Sequence, residues 1–385
     1  MKKYQNFIDF DATEEQIAIV KKLGSKNREE SYAAAEAIAA IAVAPLLQVI
    51  DNENVLSNFF STLVYDEDSP ASIDLDPYFD IKSRDYLNVW SQSQSAGLAT
   101  NFVQGITEMF VATYDLFSAI SMKKKQLRAG RIDHLAAHMS RLAQEVMKKQ
   151  DVNAASVMLA SIANARIDGD ASNTAVSNLQ VYRSATADVF QLDDFNTMKT
   201  KYSRIVSSWL GGTPAGARKD LTDIILSPEM VAQLRAIAYQ PMNTRSGSTT
   251  TSGATSVAAP EALREEVYRS AGIPTIYNTA IHEAHEFGVG QEYNSLFATY
   301  AGSTAYVGHG GSGSGAFTPA SEEVMIGLNA TMFDLVRLRE RSEQGEFSLN
   351  VDDQFKARED TMGYYGGVKE GYVSLDNRGK IAFIV

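Results

Sequence analysis

The sequence predicts an α+β protein, and three stretches carry that prediction. The last sixty-odd residues, Ser321 to Val385, read as short β-segments alternating with turns and close on the apolar run IAFIV. A nearly continuous helical pattern covers about thirty residues from Ile132 to Asn164. Between them and the N-terminal helices, residues 51–130 turn β-rich, with turn signals at Ser69–Pro70, Asp76–Pro77 and Ala96–Gly97.

The first fifty residues read as helical. TEEQIAIVKKL opens on a capping cluster of Thr13 with Glu15 and Gln16, and Gly24 stops it. A second helix is expected from about Asn27 to Ala44. The run Ala33 to Ile50 raises the question of a membrane span, but it is alanine-rich, carries Glu36 and Gln48 and is broken by Pro45. A helix packed on protein is expected there, and no membrane partner.

From Thr107 to Ile120, Met109, Val111, Thr113, Asp115 and Phe117 interleave with Phe110, Tyr114 and Leu116, which predicts one long strand with mixed faces. Two readings fit: a plain hairpin on a core, or an extended hairpin whose strands leave the body. The strongest helix follows. Ile132, Leu135, Ala136, Met139, Leu142, Ala143, Val146 and Met147 recur at three- and four-residue spacing, and a second helical segment runs from Asn153 to Asn164.

Beyond Asp168 the pattern mixes turns and helices. In LTDIILSPEMVAQLRAIA the strand Ile224–Leu226 runs into Ser227–Pro228, a cap and first-turn pair that starts a helix. Such phrases occur in many α/β folds. Residues 245–259 (RSGSTTTSGATSVAA) and Gly308–Phe317 are low-complexity and read as surface loops. Towards the end, Asp352–Asp353 precede an aromatic–glycine turn at Tyr364–Gly367, and a last strand follows Asn377–Arg378–Gly379. That strand has no polar tail, so its backbone and side chains both need a partner.

At 385 residues, the chain has room for two or three domains with proper cores. The 47 acidic against 35 basic residues leave a net charge of −12, which argues against a protein whose main task is gripping nucleic acid. It is compatible with one that encloses DNA without holding it tightly. With no cysteine, a disulfide scaffold, a thiolate metal site and cysteine catalysis are excluded.

Three near-motifs resemble catalytic or binding signatures. His134 and His138 in HLAAH have the spacing of a zinc helix, but Leu135 stands where the general base belongs. His282, His285 and Glu286 in HEAHE are one residue short of a metalloprotease box, and their flanks read as strands and turns, which would set residues three apart on opposite sides. The glycines of GHGGSGSG are followed by no lysine, as a phosphate loop requires. Catalytic, cofactor and metal residues are therefore expected to be none. Lys123, Lys124, Lys125 and Arg128 form a basic cluster whose ordinary reading is a solvated face.

Taken in order, the β-hairpin, the long helix, ILSPEMVAQLR, IPTIYNTAI and the ending IGLNATMFDLVRL…VDDQFKARED…GYYGGVKEGYVSLDN resemble the major capsid proteins of tailed bacteriophages with the Hong Kong 97-like fold. The resemblance implies a helical N-terminal arm (1–58), an extended β-hairpin or E-loop (59–130), a spine helix and the start of a peripheral domain (131–195), an axial domain (196–322), and C-terminal strands returning to the peripheral domain (323–385). It further implies a structural protein, not an enzyme, that self-assembles into hexamers and pentamers of an icosahedral head shell enclosing double-stranded DNA. Its place would be the virion, after assembly in the bacterial host cytoplasm. Expected partners are copies of itself, a portal, a decoration protein and a scaffolding protein; with the E-loop starting near residue 60 and the chain opening on Met1–Lys2–Lys3, that scaffold is expected to be separate. Inter-subunit contacts are expected at Lys82, Arg84 and Trp90 on the hairpin, and at Lys123, Lys124, Lys125 and Arg128 at its base, facing acidic surface on the neighbour. The residues themselves give no support to a covalent cross-link through Lys82. Two alternatives stay open: an encapsulin-type compartment shell, and a metal-dependent hydrolase using His282, His285 and Glu286.

Overall fold

A computed structural model of the chain describes residues 14–25, 27–53, 55–75, 107–125, 132–167, 175–184, 189–190, 192–205, 220–239, 241–242, 257–258, 275–276, 278–308, 314–330, 335–342, 345–352, 361–375 and 377–385. Among the described residues the α-helices are α1 (Glu14–Leu23), α2 (Arg28–Glu53), α3 (Ile132–Ala163), α4 (Leu192–Arg204), α5 (Pro228–Tyr239) and α6 (Glu292–Ala301). The strands run β1 (Ser61–Asp66), β2 (Ser72–Leu75), β3 (Thr107–Phe110), β4 (Tyr114–Lys123), β5 (Val181–Arg183), β6 (Asp223–Leu226), β7 (Pro241–Met242), β8 (Val257–Ala258) and β9 (Thr275–Ile276). After them come β10 (Thr279–Glu283), β11 (Ala305–Val307), β12 (Ser314–Ala316), β13 (Val324–Leu328), β14 (Leu335–Arg341), β15 (Ser348–Asp352), β16 (Thr361–Ser374) and β17 (Lys380–Ile384). The protein is α+β, and it divides into two compact units: unit 1 holds 1–73, 109–155 and 335–373, and unit 2 holds 74–108, 156–334 and 374–385.

Unit 1 is a sheet covered on one face by helices. The sheet follows the order β1-β14-β16-β15, with β4 also paired to β16. Val20 and Leu23 of α1, Ala34, Ala35, Ile38, Ala39, Ala42 and Leu46 of α2, and Leu135, Met139, Leu142, Ala143 and Val146 of α3 are buried. They pack with Met122, Leu349, Met362, Tyr364 and Val368 from the sheet. The alanines let α2 approach closely, and its three- and four-residue spacing keeps one face inward. The helix expected to end at Ala44 instead runs through Pro45 to Glu53. A proline removes one backbone donor, but Ala42 and Leu46 hold the helix to the core on either side of it. The two helical segments expected after residue 131 are one helix of 32 residues. Near its middle the Asp151 carboxylate accepts the N–H groups of Val55, Leu56 and Ser57 at 3.2, 3.2 and 3.0 Å.

Two expectations fail in this sheet. The single strand predicted over Thr107–Ile120 is two, β3 and β4, interrupted at 111–113. There the backbone passes over β16 at Gly371: a Cβ on that glycine would lie 2.7 Å from the Ala112 carbonyl oxygen. The turn predicted at Tyr364–Gly367 lies inside β16, a strand of 14 residues. Glycine is needed there for closeness rather than for turning, because a Cβ on Gly367 would sit 2.0 Å from the Leu116 carbonyl oxygen of β4.

Unit 2 is built on a six-stranded sheet of order β5-β17-β13-β6-β10-β9. β17, the IAFIV strand, lies between β5 (parallel) and β13 (antiparallel) and is buried throughout. The terminal residue takes part: Val385 N–H donates to the Glu323 carbonyl at 2.9 Å, and Glu323 N–H returns the bond at 3.0 Å. The terminal strand thus has the partner for backbone and side chains that its sequence demands. Phe195, Met198 and Tyr202 of α4 and Met230, Val231 and Leu234 of α5 pack with Ile381 and Phe383. α5 starts where Ser227–Pro228 predicts, with Ser227 Oγ accepting the Met230 N–H at 3.1 Å and donating to Glu323 Oε2 at 2.5 Å. Within the stretch 323–385, β13 and β17 belong to unit 2, while β14, β15 and β16 belong to unit 1. The reason is pairing, since β13 is held between β6 and β17 and β14 lies along β1. No helix of the described residues is long and apolar enough to cross a membrane.

Candidate interaction surface

Among the described residues, the sheet of unit 1 leaves strand edges without a partner. β1 pairs in parallel with β14 from Ser61↔Val336 to Asp66↔Arg341, and among the described residues it has no strand on its other side. β4 pairs with β16 from Tyr114↔Glu370 to Lys123↔Thr361, and its outer edge is likewise free of described strands. Natural sheets guard such edges with prolines, charges or bulges. Neither STLVYD nor YDLFSAISMK holds a proline or glycine, and the lysine of β4 is its last residue.

Strand alternation decides what these rims show. In β4, Tyr114, Leu116, Ser118, Ile120 and Met122 point one way and are half-buried or buried, while Asp115, Phe117, Ala119, Ser121 and Lys123 are exposed. Phe117 is 59% exposed, and on the neighbouring strand Tyr365 is 42% exposed. On β1, Leu63 and Val64 are 36% and 45% exposed. Phe110, at the end of the β2–β3 ribbon, is 70% exposed. At the end of β1 and just past it, Asp66, Glu67 and Asp68 are all exposed.

The same sheet carries a polar network on each face. Lys369 Nζ pairs with Glu340 Oε2 at 2.5 Å, and the Tyr65 hydroxyl donates to the same oxygen at 3.2 Å. This hydrogen bond to Glu340 raises the Lys369 ammonium above its ordinary value. On the other face Glu370 is fully buried and accepts from Gln150 Nε2 at 2.9 Å, beside the buried Arg337 and Arg339. Burial pushes the Glu370 carboxyl up, against the pull of the two guanidinium groups. Arg337 is further bound to Thr62 Oγ1, and Arg339 to Glu346 Oε2 at 2.9 Å.

Of the contact residues expected from the sequence, Lys123 and Lys125 are exposed, but Lys124 is only 7% exposed and does not belong to a solvated face. Here β4 has ended at Lys123 and the backbone turns helical at Lys124, which carries that side chain inward while Lys123 and Lys125 stay exposed. Lys82, Arg84, Trp90 and Arg128 lie outside the described residues. Charge clustering pointed at the lysines, and Phe117 went unmarked; its place among Asp115, Ala119, Ser121 and Lys123 makes it an aromatic on the polar side of its strand.

The histidine motifs do not converge. His282 lies on β10 with Nε2 2.8 Å from Asp223 Oδ1, and Asp223 Oδ2 accepts from Thr222 Oγ1 at 2.6 Å. His285 sits on the following turn, 80% exposed, with Nδ1 3.9 Å from Glu283. His138 is half-buried on α3, and the side chain of His134 lies outside the described residues. No group of three or more His, Asp or Glu side chains among the described residues is placed to hold a metal ion. Of the soft stretch Gly308–Phe317, Ser314–Ala316 form β12 against β11, and the Ala316 carbonyl accepts from Arg183 Nη2 at 2.8 Å. Val257–Ala258 of the other form β8; the rest of residues 245–259 lies outside the described residues.

No family model and no curated protein matches the chain. Among solved structures it is similar to the capsid of the cyanophage P-SCSP1u, at 9% identity over 86% of this chain and 87% of that one, with a TM-score of 0.47. It is similar to the mature capsid of bacteriophage PhiM1, at 13% identity over 86% of each chain and a TM-score of 0.42. It is also similar to the holo-SrpI encapsulin complex from Synechococcus elongatus, at 10% identity over 85% of each chain and a TM-score of 0.40.

Proposed function

We propose that this protein is the shell-building subunit of a tailed-phage head, a major capsid protein that associates with copies of itself as hexamers and pentamers around double-stranded DNA. The observation that carries the reading is the sheet of unit 1, whose strands β1 and β4 have no second partner among the described residues and carry no proline, with Phe117 and Phe110 exposed beside them. Covering one such aromatic between copies is worth about 1.5–3 kcal/mol, and a free strand edge adds a row of backbone hydrogen bonds. Repeated head-to-tail contacts of this kind close into rings.

In this reading the β2–β3 ribbon is the base of the E-loop, α3 is the spine helix, unit 1 is the peripheral domain and unit 2 the axial domain. That element order, a paired ribbon followed by a 32-residue helix, is the one the sequence resemblance implies. Lys82, Arg84 and Trp90 on the hairpin, with Lys123, Lys125 and Arg128 at its base, would meet the neighbouring subunit. The net charge of −12 supports enclosing DNA without sequence-specific contacts. A scaffold, a portal and a decoration protein complete the assembly, which forms in the host cytoplasm and ends in the virion.

Size-exclusion chromatography with light scattering tests the proposal, on the protein expressed alone and together with its neighbouring genes. Hexamers, pentamers or shells are expected, with DNA inside particles matured in the host. A monomer in every condition overturns the proposal, and particles that hold a protein cargo and no DNA replace it with a compartment shell.

A further inference from the structure

We propose that two rims of the unit 1 sheet with no further strand among the described residues meet between copies: β1 of one copy lies in parallel along Ser118–Lys123 of β4 in the next. The inference rests on the reading that copies associate, and it adds which surfaces join and in what register.

Three observations lead to it. Both strands are unpaired on one side among the described residues and lack the prolines and inward charges that normally block pairing. Each rim carries exposed apolar side chains, Leu63 and Val64 on β1 and Phe117 on β4. Their charges are complementary at one end only. β1 runs into the exposed Asp66, Glu67 and Asp68, while β4 ends at exposed Lys123 followed by exposed Lys125.

Acid and base come together only if the strands run the same way, with the C-terminal ends aligned. Six residues of β1 then lie opposite six of β4, from Ser61 against Ser118 to Asp66 against Lys123, and the turn carrying Glu67 and Asp68 comes to the end of β4 where the chain goes on to Lys125. Lys124 is buried and takes no part, so the cation pair facing the acidic turn is Lys123 with Lys125. β1 already pairs in parallel with β14, so its backbone is set for the slanted bonds of a parallel ladder on either side. The two rims differ, so the contact is heterologous, and repeated rotation closes it into a ring.

A charge swap tests this directly. The variants D66K/E67K/D68K and K123E/K125E, each checked for folding by circular dichroism, are expected to lower assembly yield about tenfold through like-charge opposition, and the combined variant to restore it to within about twofold. As a second measure, the chain has no cysteine, so Thr62→Cys with Ala119→Cys gives an unambiguous reporter of the register. Assembled particles of this variant are expected to form covalent ladders on mild oxidation, with wild-type charges retained. Assembly by the wild type without rescue in the combined variant, or without ladders, overturns this inference and leaves the shell reading intact. A wild type that never assembles overturns both.

Discussion

Replacing Gly367 by alanine tests the sheet on which the account depends. Its ideal Cβ would stand 2.0 Å from the Leu116 carbonyl oxygen, 2.6 Å from Phe117 Cδ1 and 2.8 Å from the Leu116 carbonyl carbon. Side-chain Cβ atoms essentially never approach within 3.0 Å, so β4 must retreat from β16 by about 1 Å, and the nearest obstacle is backbone rather than a side chain that can swing away. Overpacking of this kind costs about 1–3 kcal/mol. For a unit of this size, that lowers the melting temperature by roughly 3–10 °C. Differential scanning calorimetry of the unassembled protein reads the shift. An unchanged melting temperature would mean that β4 does not lie against β16 as described, and the free rim assigned to β4 would lose its basis.

Three further outcomes follow from the same packing. Phe383→Ala removes a fully buried ring from the terminal strand and should cost about 3–5 kcal/mol in a urea titration of unit 2; a cost below 1 kcal/mol would place IAFIV outside the core. Phe117→Ser should leave monomer stability within about 0.5 kcal/mol, because the ring is mostly exposed, while sharply reducing assembly; normal particles would remove Phe117 from the interface. Glu370 has its folded-state pKa raised above the ordinary 4.5, so the stability it contributes is full below that value and is lost as pH rises through the raised one. The wild type should therefore gain on Glu370→Gln as pH is lowered from 7 towards 5, read from urea midpoints, and a constant difference would contradict the assigned burial.

What the sequence disclosed depended on how local the cause was. IAFIV and Ser227–Pro228 carry their reasons within a few residues, an apolar strand without a polar tail and a cap before a first-turn proline, and both hold in the structure. HEAHE could be read as strand and turn from its neighbours, which is where His282 and His285 lie. Pro45 misled because the signal for breaking a helix is local, whereas the burial of Ala42 and Leu46 that sustains α2 is tertiary. Tyr364–Gly367 misled for the same reason: glycine marks turns in isolation, but here it makes room for the carbonyl of a strand more than two hundred residues earlier in the chain. The three lysines looked alike in sequence, and only the inward turn of Lys124 separates it from Lys123 and Lys125.

Electron microscopy of the purified protein, alone and beside a scaffold from its neighbouring genes, addresses the central claim most directly. Closed shells, or uniform rings of six and five subunits, are the predicted result. Dispersed compact monomers in every preparation would contradict the shell reading and the joined rims together.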